Sequence, residues 1–273
     1  MPEGPEIRRA ADQLAGVLEG QIIQQVYFGL AELEPHAGQL RGKRVVRLET
    51  RGKALLTHFE HGITIYSHNQ LYGLWRVARS GQLPATNRVL RLLLDTGTRA
   101  ALLYSASDIS VWRTEDLALH PFLARVGPDI LAPDLTPALI AERLASGDFC
   151  RRSLAALYLD QSFVAGIGNY LRSEILFDAA VHPWARPVDL TPAQQRRLAR
   201  STLAISQRSY ETAGITNPPG RAARLKRQGK RRSDYRFAVF DREGQACFRC
   251  GAEIQNTPAG SRRLYWCPLC QSQ

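Results

Sequence analysis

Four cysteines in the last 27 residues constrain this chain more than any other feature: Cys247-Phe-Arg-Cys250, sixteen residues, then Cys267-Pro-Leu-Cys270. Two Cys-x-x-Cys knuckles separated by the length of a β-hairpin have the spacing of a four-thiolate zinc site. Four thiolates close the tetrahedron and leave no position for water, so the expected Zn2+, one per chain, is structural. Such binding contributes roughly 10–16 kcal/mol of apparent folding free energy, which is large beside the stability of so small a hairpin. The fifth cysteine, Cys150, stands alone in FCRRS. It has no partner by spacing and reads as a small buried hydrophobe.

The charge balance points to a partner. Lys+Arg number 36 against 25 Asp+Glu, a formal net charge of +11 with a pI near 9.9. That favours a polyanion, either nucleic acid or an anionic membrane surface. No apolar run is long enough to span a bilayer and the first residues lack a signal-like stretch, so a soluble cytoplasmic protein without a membrane partner is expected. Arg262 and Arg263 stand just ahead of Cys267, where a guanidinium on the hairpin can clamp a phosphate.

The rest of the chain divides by pattern. Residues 5–18 carry Ile7, Ala10, Ala11, Leu14, Val17 and Leu18 at helical spacing, with Pro5 and Glu6 suited to the first turn. Short β-like runs follow at 22–28, 44–50, 53–59, 63–68, 72–78, 88–94 and 100–106. Many short strands broken by turn residues predict a sandwich or barrel. Gly127, Pro128 and Pro133 mark 127–135 as a linker, and helices are expected near 137–146, 151–160, 169–180 and 192–209, two of them opened by Thr-Pro caps. The stretch 221–236 holds eight basic residues and one acid and is read as a mobile, disordered basic loop.

Three motifs carry chemistry beyond the cysteines. In FVAGIGNY, Gly166 and Gly168 precede a helix beginning at Asn169, whose free N–H groups would suit a phosphate. The bland alternative is a tight helix–helix turn, and the basic composition favours phosphate. HNQLYG sets Gln70, Leu71 and Tyr72 at a turn after a strand, either an ordinary strand edge or a wedge for a base stack. Lys53, Arg125 and Glu3 would each pass singly for surface or helix-start residues. Pro2 is the third motif: removal of Met1 would leave a secondary amine, an inert terminus or a nucleophile.

Together these residues resemble the Fpg/Nei family of DNA glycosylases/AP lyases, and within it the bacterial endonuclease VIII branch. The resemblance runs through MPEGPEIRRAADQL, ETRGKALLTHF, YSHNQLYGLWRV, YSASDI, HPFLARVGPD, LDQSFVAGIGNYLRSEIL and SRRLYWCPLC. MPEGPE and QLY favour that branch over the formamidopyrimidine one. It implies an α+β multidomain protein. A β-sandwich catalytic domain with an N-terminal helix (1–126) would precede the linker, a helical helix–two-turn–helix DNA-binding domain with the basic loop (136–236) and a zinc-finger β-hairpin (237–273).

It further implies a bifunctional base excision repair enzyme that removes oxidised pyrimidines by a Schiff base and cleaves by β,δ-elimination. Pro2 would be the nucleophile, Glu3 the acid beside it, Lys53 the β-elimination residue, and Arg262 the zinc-finger arginine of phosphate binding and δ-elimination. Gln70, Arg125 and Asn169 would contact DNA, with Leu71 and Tyr72 filling the void. The partner would be double-stranded DNA with oxidised bases or abasic sites, bound by a monomer. Two alternatives stay open, the same chemistry on oxidised purines and a non-catalytic zinc-finger DNA-binding protein. The 213–235 region is longer and more basic than the family's lesion-contacting loop leads one to expect.

Overall fold

Apolar residues at helical spacing place Ile7, Ala11, Leu14, Val17 and Leu18 of helix α1 (Gly4–Leu18) on one buried face. The computed structural model describes residues 2–272, so the state of residue 1 lies outside them. The chain forms two compact units: Glu6–Val126 together with Pro2, and Gly127 onward together with Glu3–Pro5.

In the first unit, strands β1 (Gln25–Phe28), β2 (Val45–Arg51), β3 (Ala54–Phe59), β4 (Ile63–His68), β5 (Leu74–Arg79), β6 (Leu90–Asp95), β7 (Arg99–Tyr104) and β8 (Asp108–Arg113) are separated by the one-turn helix α2 (Ala37–Leu40) and by turns. They make two four-stranded antiparallel sheets, β1-β6-β7-β5 and β2-β3-β4-β8. Leu55, Phe59 and Ile65 from one sheet meet Leu92, Leu94, Leu103 and Trp75 from the other in a core that also takes the α1 face. Of the sandwich and barrel that the strand pattern allows, this is the sandwich that the resemblance implies. The β3 strand is buried at every position because its other face is covered too, Leu56 and Tyr66 packing with Trp112, Leu117, Phe122 and Leu123.

The periodicity missed β8. Its residues, DISVWR, begin with an acid that strands disfavour only three residues after β7 ends, yet β8 pairs along the whole of β4.

In the second unit, α3 (Pro137–Ala145), α4 (Leu154–Leu157), α5 (Asn169–Asp178) and α6 (Pro192–Glu211) enclose a core of Ile140, Leu144, Leu157, Phe163, Leu171, Ile175 and Leu198. Thr136 and Thr191 cap α3 and α6 as their Thr-Pro sequences predict. Ile130 and Leu135 of the 127–135 segment belong to this core.

Two expectations need correction. The helix expected over 151–160 is a single turn. Ser153 caps it, and Asp160 accepts the Ser162 N–H at 2.8 Å, which draws the chain into a turn instead. The basic run is not a disordered loop but two helices, α7 (Pro219–Arg227) and α8 (Arg232–Arg236). Pro219 starts α7 and Gly229 (φ 73°) follows it, the usual helix start and stop residues. The chain ends in the hairpin β9 (Gln255–Ala259) and β10 (Arg262–Trp266). Among the described residues no helix is long and apolar enough to cross a membrane.

Candidate active site

Glu3 is 2% exposed, an unusual place for a carboxylate unless its oxygens are satisfied. Three backbone N–H groups satisfy them: Gly168 donates to Oε2 at 2.8 Å, Tyr170 to Oε1 at 2.9 Å and Leu171 to Oε2 at 3.2 Å. These are the orphan donors at the start of α5, where the helix dipole also favours an anion. The sequence expectation that these N–H groups await a phosphate is therefore corrected, because the anion they hold is internal. The glycines serve this arrangement. Gly166 takes φ 99° and its carbonyl accepts the Gly4 N–H at 2.8 Å, while Gln161 ties the turn by accepting the Gly166 N–H and donating to the Ile167 carbonyl.

One residue on, Asn169 leads to the hairpin. Its Nδ2 donates to the Arg263 carbonyl at 2.9 Å and its Oδ1 accepts from Arg172 Nη2 at 2.6 Å. Arg172 is fully buried and also donates to the Ala155 carbonyl at 2.8 Å. Burial, reinforced by the Arg262 charge and opposed by Glu3, lowers its guanidinium pKa to about 10. Arg262 and Arg263 are exposed at the start of β10. A turn further along α5, buried Glu174 accepts the N–H groups of Ala238, Val239 and Phe240 and the Thr216 hydroxyl. Burial raises its pKa, against the pull of those donors.

The four cysteine sulfurs lie within 4.8 Å of one another. The Cys247–Cys270 and Cys250–Cys267 sulfurs are 3.8 and 3.4 Å apart. A tetrahedron of ~2.3 Å Zn–S bonds has edges of about 3.8 Å, so the donor set fits zinc. The knuckle N–H groups of Arg249 and Cys270 point at the Cys247 and Cys267 sulfurs.

Within the first unit, Gly52 (φ 64°) and Lys53 form the two-residue turn between β2 and β3. Lys53 is only 8% exposed. His68 stands opposite Asp108 across β4 and β8, with Nδ1 4.0 Å from Oδ2. Burial lowers the His68 pKa, Asp108 opposes that, and the Lys53 charge adds to it. Gln70, Leu71 and Tyr72 follow β4 in a projecting turn, with Leu71 55% and Tyr72 67% exposed. Pro2 is half-buried, and Arg125 is exposed with its Nε bonded to the Pro121 carbonyl at 3.0 Å.

The second unit thus brings together Glu3, Asn169 and the start of β10 that carries Arg262, and separately the four cysteines. The first unit brings Lys53 within electrostatic reach of His68. Sequence reasoning missed Arg172, Glu174 and His68. The signal for the first two was the triplet Arg-Ser-Glu at 172–174 inside an apolar helical stretch.

Residues 1–105 match the N-terminal domain of formamidopyrimidine-DNA glycosylase, and residues 126–218 match its H2TH domain. Endonuclease 8 of Salmonella paratyphi B is 50% identical and that of Salmonella arizonae 49% identical, each over 271 residues, 99% of this chain and all of the relative. Among solved structures, formamidopyrimidine DNA glycosylase of Lactococcus lactis, non-covalently bound to DNA containing an AP site, superposes with a TM-score of 0.82 at 22% identity. That match covers 99% of this chain and all of the other.

Proposed function

The chain belongs to the formamidopyrimidine-DNA glycosylase family, base excision repair DNA glycosylases and AP lyases acting on oxidised bases, and from that premise we propose that it removes oxidised pyrimidines from double-stranded DNA through a Schiff base on Pro2. The observation that carries this reading is the buried Glu3 carboxylate, next in the chain to Pro2 and fixed by three N–H donors.

The chemistry follows from a secondary amine. A damaged nucleotide leaves the duplex, more easily where the lesion has weakened its stacking. The Pro2 nitrogen attacks C1′ and the base departs with the glycosidic electron pair. Glu3, next to the amine in the chain, relays the amine proton to the ring oxygen as the sugar opens. The resulting iminium has no N–H to lose and remains a cation. It withdraws electrons from the sugar, so loss of the C2′ proton expels the 3′ phosphate, and loss of the C4′ proton then expels the 5′ phosphate.

In this reading Lys53 serves the β-elimination, and Arg262 holds the phosphate and serves the δ-elimination. Gln70, Arg125 and Asn169 contact DNA, and Leu71 and Tyr72 fill the space the nucleotide vacates. The exposed positions of Leu71, Tyr72 and Arg262 support those roles. Zinc bound by Cys247, Cys250, Cys267 and Cys270 has a structural role, fixing the hairpin on which Arg262 rides.

Borohydride reduction tests the proposal. Wild type should form a stable crosslink to an abasic-site duplex, and a chain whose Pro2 nitrogen is blocked by an uncleaved N-terminal tag should not while retaining zinc and fold. Crosslinking that survives the blocked terminus rejects the nucleophile. Competition between thymine glycol and oxidised-guanine duplexes decides the base class, and preference for the purine lesion rejects the pyrimidine reading.

A further inference from the structure

We infer that His68 is a positioning residue for the Gln70–Tyr72 turn: its unprotonated Nδ1 latches the Gln70 backbone and so presents Leu71 and Tyr72 for insertion. The inference rests on the proposed wedge role of those two side chains and adds the element that holds them.

The turn is built under constraint. Gly73 N–H returns to the Asn69 carbonyl at 2.7 Å, and a Cβ on Gly73 would lie 2.4 Å from that oxygen, so the chain reverses as tightly as it can. Gln70 sits inside the reversal at φ 50°, a conformation that L residues rarely adopt. Two bonds hold it there. Its N–H donates to His68 Nδ1 at 3.1 Å, and its Oε1 accepts from the Ser107 hydroxyl at 2.9 Å. Arg88 braces the far side by donating to the Tyr72 carbonyl. A side-chain acceptor serving the N–H two residues on is the bond that Asx turns use, made here by an imidazole.

Nδ1 can accept only while it carries no proton. The groups facing it are Asp108 on β8, Lys53 from the β2–β3 turn and the Phe122 ring, whose centroid is 6.1 Å from that of the imidazole. Burial and Lys53 disfavour the imidazolium and Asp108 favours it, and the net effect lowers the pKa. The latch is therefore closed at neutral pH. Protonation turns Nδ1–H toward Asp108 and strips Gln70 of one of its two supports in the left-handed conformation, so the turn loosens as pH falls below the ordinary histidine range.

The test uses the full chain and a duplex carrying a tetrahydrofuran abasic analogue with 2-aminopurine opposite it, so that insertion is read by fluorescence without chemistry. Asparagine places an acceptor near Nδ1, glutamine places one near Nε2, and leucine supplies neither. Wild type should show insertion at pH 7.5 that declines toward pH 5.5. His68→Leu should insert about tenfold less well at every pH, and His68→Asn should restore insertion and remove the pH dependence. Melting temperature and zinc content check the fold, and His68→Asn decides the matter if His68→Leu is unstable. Rescue by His68→Gln but not by His68→Asn, or normal insertion by His68→Leu, overturns the latch. A wild type without any fluorescence response rejects the wedge reading itself, and the latch with it.

Discussion

Gly168 is pressed against Glu3 so closely that a Cβ on it would lie 2.4 Å from the carboxylate. The glycine's own N–H is one of the three that hold that carboxylate. Gly168→Ala must therefore displace Glu3, which is buried and cannot swing into solvent. Overpacking of this kind costs about 1–3 kcal/mol, and a displaced proton carrier loses about 10²–10⁴-fold in rate. The expected outcome is a folded, zinc-replete variant whose borohydride crosslinking falls at least tenfold. Wild-type crosslinking in Gly168→Ala would separate Glu3 from the chemistry.

Removing the zinc proposed for the four cysteines should be visible in tryptophan emission. Trp266 ends β10 next to Cys267 and meets the Trp184 and His182 rings edge-on, with centroids 5.5 and 5.2 Å away. Those contacts depend on the hairpin, and the hairpin has few buried residues of its own besides Ile254, Leu264 and Tyr265. Chelation is expected to shift Trp266 emission to the red while the first unit keeps its β-sheet circular dichroism. Re-addition of zinc should reverse the change. Emission indifferent to chelation would mean that the hairpin stands without metal.

The parts legible in the sequence were those encoded by neighbours along the chain. The cysteine knuckles, the Thr-Pro caps and the strand pattern of the sandwich all depend on spacing, and spacing survives without coordinates. What was not legible depends on distant partners. Nothing in MPEGPE says that Glu3 will occupy the amides of a helix 165 residues away, so the start of α5 read as an open anion site. A polar Arg-Ser-Glu triplet looks like a solvated face until α5 is found buried all round. The basic run looked disordered because its charges offer no core. Its order comes instead from Arg221, which donates to the Phe248 carbonyl at 3.1 Å and lies 4.3 Å over the Phe248 ring.

Acid should weaken the first unit through Glu49. His58 lies 3.2 Å from its Oε2, and Arg51 and Arg47 flank it. The His58 imidazole beside it is the largest cause lowering its pKa from 4.5 to about 2, with desolvation opposing and the arginines assisting. A carboxylate with a depressed folded pKa stabilises above its unfolded pKa and loses that contribution as pH falls through the folded one. The window here runs from about 4.5 down to about 2. Partial exposure reduces the effect to about 1–2 kcal/mol. Glu49→Gln should be less stable than wild type to urea at pH 7, with the gap closing as pH approaches 2. A gap independent of pH would assign Glu49 a packing role only.

Helix α7 should tighten DNA binding without regard to sequence. Arg224, Lys226 and Arg227 of α7 and Lys230 in the turn after it are exposed, and among the described residues no ion pair engages them. The Arg221 contacts with Phe248 fix the start of the helix on the cysteine knuckle, so these charges ride on an ordered support and lose less freedom when they meet phosphates. Each phosphate contact contributes about 0.9 to the slope of log K against log salt concentration. Neutralising all four to glutamine should weaken binding to an undamaged duplex and lower that slope by up to about 3.6. The Pro2-dependent crosslink should still form at low salt, where binding is not limiting. An unchanged slope would make α7 a solvated surface, and loss of crosslinking at low salt would give it a part in the chemistry instead.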